Sequence, residues 1–300
     1  MESLAAVLHQ SGEPLRIERV EVLPPGPAEV QVRIEAAGVC HSDLHVMKGD
    51  LPMKTPIILG HEGAGVVVCV GAGVTSVEPG DHVIPIWRMS CGRCEDCLGG
   101  RPALCDVGTR MRFTGLMPDG QTRFRDSAGE PILHYAGVST FSQFSTMPEG
   151  AVVKIPKDVS FAHAALIGCG VITGFGAVVH AAAVIPGSTV AVFGCGGIGL
   201  NIVQSARLAG ALRIIAVDPV AAKLEYARSF GATDCVLSTD GDPVAAIREL
   251  TGGLGVDYAF EAVGLPEPVE QAYDATRKGG TCVVVGIAPQ SARARININA

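Results

Sequence analysis

Hydrophobic positions take two textures along this chain. Over residues 4–144 they form short β-branched runs, such as 30–34 and 65–70, each stopped by glycine or proline. Pro24-Pro25-Gly26-Pro27, Glu78-Pro79-Gly80-Asp81 and Pro118-Asp119-Gly120 are turns, because proline fixes φ and glycine opens positive φ. This part predicts a mostly β domain. Beyond residue 150, strand and helix signals alternate. A strand is predicted over 189–193, a helix over 198–209, a strand over 213–217 ending at Asp218, and a helix over 221–230 closed by Gly231. A short strand over 235–237 precedes Asp242-Pro243, an N-cap with proline at the first helical position of a helix running to Leu250. Strands over 256–260 and 281–285 complete the set. Such alternation needs crossover connections, so the fold class is α/β with a parallel, doubly wound sheet. The domains are expected at 1–170 and 171–300. At the end, Arg295-Ile296-Asn297-Ile298-Asn299 alternates as a short strand does.

Composition adds limits. Three hundred residues, 48% of them hydrophobic, suffice for about two cores. A positive mean hydropathy of +0.35 reflects Ala, Val and Ile, the residues of buried parallel strands. With 23 basic and 30 acidic residues the net charge is -7, which disfavours nucleic acid and anionic membranes and leaves small molecules as the expected partners. Met1-Glu2-Ser3 does not start a signal peptide, and no apolar run is read as reaching the roughly 18 residues of a spanning helix, so a cytoplasmic location is expected. In the cytosol, ten cysteines are more often metal ligands than disulfides.

Three groups of residues carry chemistry. Gly194-Cys195-Gly196-Gly197-Ile198-Gly199 is G-x-G-x-x-G between a predicted strand and a predicted helix, with Asp218 ending the next strand. These glycines permit a tight turn and close approach of a pyrophosphate to the helix N-terminus, where free N–H groups attract anions. The Asp218 carboxylate suits ribose hydroxyls and repels a 2′-phosphate, which favours NAD over NADP, the more so as Pro219 and Val220 follow rather than arginine. Cys91, Cys94, Cys97 and Cys105 have the spacing of a closed structural zinc site. An iron–sulfur cluster fits less well, since seven residues precede the last cysteine and Asp106 follows it. Finally, Cys40-His41-Ser42-Asp43-Leu44-His45 packs thiol, imidazole, hydroxyl and carboxylate into one stretch, with His61 and Cys169 as candidate co-ligands. Two Cys and one His leave a fourth position open, as a catalytic zinc requires, but spacing alone does not join three separate segments.

Together these motifs, with Gly60-His61-Glu62-Gly63, Gly168-Cys169-Gly170, Thr173-Gly174 and Lys223, resemble the zinc-dependent medium-chain alcohol dehydrogenases. The residues 139–144 and the loop before them are similar to the long-loop branch, which includes liver-type alcohol dehydrogenases and glutathione-dependent formaldehyde dehydrogenases. The resemblance implies a mostly-β, GroES-like zinc-binding catalytic domain at 1–170 and an NAD-binding Rossmann domain at 171–300 that lacks its last strand. It implies two Zn2+ per chain and NAD, with catalytic zinc on Cys40, His61 and Cys169, and oxidation of primary or secondary alcohols to aldehydes or ketones. Ser42 and His45 would then relay the proton, Asp43 would orient His61, and Glu62 would lie close behind the metal. His41, Thr173, Lys223, Val285, Gly286 and Ile287 would face the cofactor, and Leu51, Trp87 and Tyr135 the substrate.

Some positions depart from the branch. Ser42 and His45 stand where thiol-adduct enzymes usually have Thr and Tyr, and Thr109 where they have Arg; nearby Arg110 and Arg112 are read as solvated loop residues. An ordinary alcohol is thus preferred over an S-(hydroxymethyl)thiol. Of another class, a catalytically silent dinucleotide-binding or redox-sensing protein would use the Gly-rich turn without Cys40, His61 and Cys169. The family suggests a homodimer or homotetramer, whose usual dimer strand is expected beyond Ala300.

Overall fold

The computed structural model describes residues 1–297 and divides the chain into two compact units, Met1–Cys169 and Gly170–Ala300. In the first unit, strands Glu2–Leu8, Arg16–Val22, Phe124–Arg125, Pro131–His134 and Ile57–Ile58 close a small barrel. Beside it, a five-stranded sheet runs in the order Val152–Ile155, His82–Pro85, Glu62–Val70, Glu29–Gly38 and Phe144–Pro148. Val30, Val32, Val67, Val83 and Met147 pack together beneath this sheet. The predicted runs 30–34 and 65–70 are only the apolar parts of longer strands. Their extensions include small residues at close approaches: a Cβ on Gly63 would lie 2.6 Å from Thr140 Cγ2.

The second unit is a parallel sheet in the order Asp234–Leu237, Arg213–Asp218, Thr189–Phe193, Val256–Glu261 and Thr276–Val284. Alternate residues of each strand enter opposite cores. Val190 and Val192 pack against Ile202, Val203 and Leu224 of the helices Gly197–Leu208 and Ala221–Phe230. Ala191 and Phe193 pack on the other side against Ile247 and Ala272, from the helices Pro243–Leu250 and Pro266–Ala275. Both faces are covered, which is why these strands read as unbroken apolar runs.

Several features differ from expectation. Helix Pro266–Ala275 was hidden by its prolines, yet Pro266 sits in the first turn, where no N–H is needed. The last strand starts at Thr276, before the predicted 281, and ends at Val284. Arg295 to Asn297 form no strand, and Ile298 and Asn299 lie outside the described residues. The expected lack of a long apolar segment is also corrected: the helical run Phe161–Ala181 is long and apolar enough to cross a membrane, with a hydropathy of 1.8. Part of its apolar content serves packing: Ala164 and Ala165 join Ala64 and Ile84 in the first unit, and Ala177 and Val178 join the core of the second, whereas Leu166, Ile172, Phe175 and Val179 are exposed.

Candidate active site

Cys40 follows the strand Glu29–Gly38 and caps the helix His41–Lys48. Asp43, in the first turn of that helix, is 1% exposed and accepts three hydrogen bonds. Its Oδ2 takes the Cys40 N–H at 3.1 Å, and its Oδ1 takes the Gly60 N–H at 3.0 Å and His61 Nδ1 at 3.2 Å. One carboxylate therefore fixes the backbone on both sides of the site and leaves His61 Nε2 as the ligand atom. Gly60 has φ +83°, and a Cβ there would meet Phe141 Cδ1 at 2.5 Å, so only glycine lets His61 sit at this depth. Cys169 comes from the widened, π-helical turn Ile167–Val171, where Gly168 lies against the Pro85 carbonyl.

As a result, ligand atoms of Cys40, His61, Glu62 and Cys169 lie within 4.8 Å of one another. Gly38 makes room for the fourth member, since its Cβ would stand 2.1 Å from Glu62 Oε2. This donor set fits a divalent cation. The hydrogen bond from Cys169 holds the Cys40 thiol down at about 3, and the same contact, with burial, pushes Cys169 far up. Only one of the two thiols ionises unless further positive charge enters the site, and Zn2+ with two thiolates and an imidazole meets that need. The Glu62 carboxyl is also pushed up, by burial and then by Cys40.

Around this set, the rings of Tyr135 and Trp87 stand edge-on to His61, with centroids at 5.4 and 6.2 Å. Leu51 packs in the same hydrophobic cluster as Tyr135. Ser42 Oγ is 3.5 Å from Cys40 Sγ. His45 Nδ1 is 3.0 Å from Asp50 Oδ2, and its ring lies 5.0 Å from that of the exposed His41.

The sulfur atoms of Cys91, Cys94, Cys97 and Cys105 form a second cluster within the same 4.8 Å limit. Backbone N–H groups point at them, from Cys94 to Cys91 at 3.3 Å and from Cys91 to Cys105 at 3.3 Å. N–H groups of Arg93 and Cys94 draw the Cys91 thiol down to about 6. The helix Glu95–Leu98 and the turn Pro102–Leu104 bury nothing, so the lobe lacks a core and a zinc would organise it.

In the second unit, Gly194 ends the central strand with φ +92° and Gly199 packs on it: a Cβ at Gly199 would lie 1.8 Å from the Gly194 carbonyl oxygen. Gly196 and Gly197 are exposed, with nothing within 4 Å of a built Cβ, and no side chain caps the helix that begins at Gly197. The open N–H groups of that turn, Ile198 included, fit a pyrophosphate. Asp218, 3% exposed, accepts Cys195 N and Val220 N at 2.9 Å, with Lys223 Nζ 3.7 Å away. Val285, Gly286 and Ile287 follow the last strand at the same edge of the sheet, and Thr173 is half-buried on its helix.

Sequence reading missed a cluster on Trp87. The guanidinium carbons of Arg88 and Arg112 lie 4.8 and 5.3 Å from the Trp87 ring centroid, and Trp87 Nε1 is buried without an acceptor. Arg112 is thus no free loop side chain, and no local signal links it to Trp87.

Two family models cover most of the chain: the alcohol dehydrogenase GroES-like domain at residues 26–157 and the zinc-binding dehydrogenase domain at 197–300. S-(hydroxymethyl)glutathione dehydrogenase of Escherichia coli O1:K1 is 46% identical over 291 residues, covering 96% of this chain and 79% of that relative. Among solved structures, an alcohol dehydrogenase zinc-binding domain protein from Burkholderia ambifaria matches with a TM-score of 0.95 at 42% identity, covering 100% of this chain and 80% of that one. Benzyl alcohol dehydrogenase from Acinetobacter calcoaceticus matches with a TM-score of 0.93 at 35% identity, covering 100% and 81%. With its two metal-binding clusters and its glycine turn, the chain belongs to the zinc-dependent medium-chain alcohol dehydrogenase family.

Proposed function

We propose that this chain oxidises primary or secondary alcohols reversibly to aldehydes or ketones, with NAD as hydride acceptor. The observation that carries this reading is the convergence of Cys40, His61 and Cys169, from three separate segments, on one buried position. These three side chains, with the Glu62 carboxylate beside them, would hold the catalytic zinc, and the four-Cys lobe would hold a second, structural zinc. When bound, zinc supplies a Lewis acid that acidifies the alcohol, and NAD takes the hydride. Asp43 keeps His61 in the tautomer that presents Nε2. Ser42 Oγ, beside Cys40, accepts the alcohol proton as it gives up its own hydroxyl proton toward His45, which, steadied at Nδ1 by Asp50, takes a proton up at Nε2 and passes it to solvent. Tyr135 and Trp87 shield the reacting carbon from water, and Trp87 narrows the space near His61. Cysteines gathered as metal ligands suit a reducing, cytoplasmic setting.

NAD reduction measured on ethanol, benzyl alcohol and other alcohols, with and without chelator, tests the reading. Turnover that is lost with chelator and restored by zinc is the expected result; chelator-insensitive turnover, or none with two zincs present, sinks it.

A second reading, oxidation of an S-(hydroxymethyl)thiol, is favoured by the arginines on Trp87. Neither Arg88 nor Arg112 has a carboxylate partner among the described residues, and burial together with Arg112 lowers the Arg88 pKa. Paired cations without an anion suit a substrate that brings carboxylates, as a glutathione adduct does. On this reading Arg88→Ala with Arg112→Ala raises KM for the formaldehyde–glutathione adduct by about tenfold or more, from the loss of charge-assisted hydrogen bonds. KM for benzyl alcohol stays within about twofold of the parent. Equal effects on both substrates would return the arginines to a packing role.

A further inference from the structure

Glu261 ends the strand Val256–Glu261 and is fully buried, 0% exposed, with no cationic partner among the described residues. Its Oε1 accepts the N–H groups of Val263 at 2.6 Å and Gly264 at 2.7 Å, while Oε2 is buried with no hydrogen-bond partner. Its main-chain oxygen accepts the N–H groups of Val285 at 2.8 Å and Gly286 at 3.1 Å. A carboxylate buried without a counter-ion is costly, and neither an apolar core nor a simple turn requires it.

Its surroundings show what that cost maintains. The loop it holds touches the glycine turn, since a Cβ on Gly194 would meet Val263 Cγ2 at 2.6 Å. The same loop touches the segment after the last strand, because a Cβ on Gly264 would meet the Ile287 carbonyl oxygen at 2.3 Å and one on Gly286 would meet Glu261 Oε2 at 2.7 Å. Three loops at one edge of the sheet are therefore keyed to a single side chain. The central strand Thr189–Phe193 has Asp218 at the end of one neighbouring strand and Glu261 at the end of the other. A dinucleotide across the glycine turn places its adenosine half on the Asp218 side and its nicotinamide half on the Glu261 side.

We infer that Glu261 is a positioning residue for the nicotinamide half of the cofactor, acting through the Val263-Gly264 turn and the backbone from Val285 to Ile287. This rests on the reading that the second unit binds NAD. It holds these loops in the bound geometry beforehand, so that little ordering cost falls on binding.

The test compares the full-length parent with Glu261→Met, which fills the space without accepting hydrogen bonds, and Glu261→Gln, whose carbonyl still accepts. NADH and ADP-ribose, which has no nicotinamide, are titrated against each, and melting temperature is followed in parallel. Expected are about tenfold weaker NADH binding by the Met variant, about 1.4 kcal/mol, with ADP-ribose within about twofold of the parent and most of the loss recovered by Gln. Equal weakening of both ligands, parent-like NADH binding by the Met variant, or a Met variant that fails to fold while Gln folds overturns the inference. A parent that binds neither ligand overturns instead the assignment of NAD to this unit.

Discussion

Cys40→Ala is expected to lower bound zinc from two per chain to one and to reduce alcohol oxidation by about 10³-fold or more. The rate estimate follows from the several kcal/mol of charge stabilisation that a metal supplies, at about 1.4 kcal/mol per tenfold. Metal is lost because the one strongly acidified thiol is gone, leaving His61, Cys169 and the carboxyl of Glu62, both of the last two pushed toward their protonated forms, while the four-Cys lobe keeps its own ion. Folding is little affected: the Cys40 N–H, which survives the substitution, is what bonds Asp43. His45→Gln provides the contrast. His45 bonds Asp50 and lies in neither cluster, so the variant keeps two zincs. Turnover falls by about 10²-fold, the lower end of the range for a positioned proton carrier, because an amide cannot take up and release the proton. Elemental analysis with steady-state rates on one alcohol reads both. Equal metal loss in the two variants would refute the division of this stretch into ligand and relay.

That division shows which parts of the site the sequence makes legible. Cys91, Cys94, Cys97 and Cys105 are close in sequence, so spacing alone reveals a metal site, and the structure places their sulfurs together. Cys40, His61 and Cys169 come from a helix cap, a glycine turn and a later helical run, so only the family resemblance joined them. That resemblance set Asp43 behind His61; it gave no hint that Asp43 also holds Cys40 and Gly60, because main-chain donors leave no mark in sequence. Glu62 was expected behind the metal, and its carboxylate lies among the ligand atoms, in space that Gly38 leaves empty. Trp87, Arg88 and Arg112 meet only in three dimensions.

The fold divides in the same way. Strand Thr189–Phe193 is apolar from Val190 onward since helices cover both faces, and its bounds match the sequence expectation. Helix His41–Lys48 escaped notice because its buried members are Asp43 and Val46, giving no apolar stripe. Its inward face is chemical rather than hydrophobic. Where function replaces packing, periodicity no longer marks an element.

The glycine turn allows the two uses of glycine to be separated by experiment. Gly199→Ala is expected to destabilise the second unit by about 3 kcal/mol and to abolish measurable NADH binding. Its new Cβ would lie 1.8 Å from the Gly194 carbonyl oxygen and 2.8 Å from the carbonyl carbon. Gly194 cannot yield, because it is wedged against Val263 with φ +92°, so the helix Gly197–Leu208 must move off the sheet. Gly196→Ala differs. Gly196 has φ −82° and ψ −166°, which alanine adopts freely, and its Cβ would meet nothing within 4 Å. Stability should hold or rise by about 0.5 kcal/mol as the unfolded chain loses freedom. NADH should nevertheless bind about tenfold or more weakly, because the methyl group enters the space through which a pyrophosphate reaches the first N–H groups of the helix. Calorimetry and NADH fluorescence titration read the two effects separately. Parent-like binding by Gly196→Ala would mean that the open turn is not the pyrophosphate cradle, whatever Gly199→Ala does, because only the exposed glycine isolates ligand approach from packing.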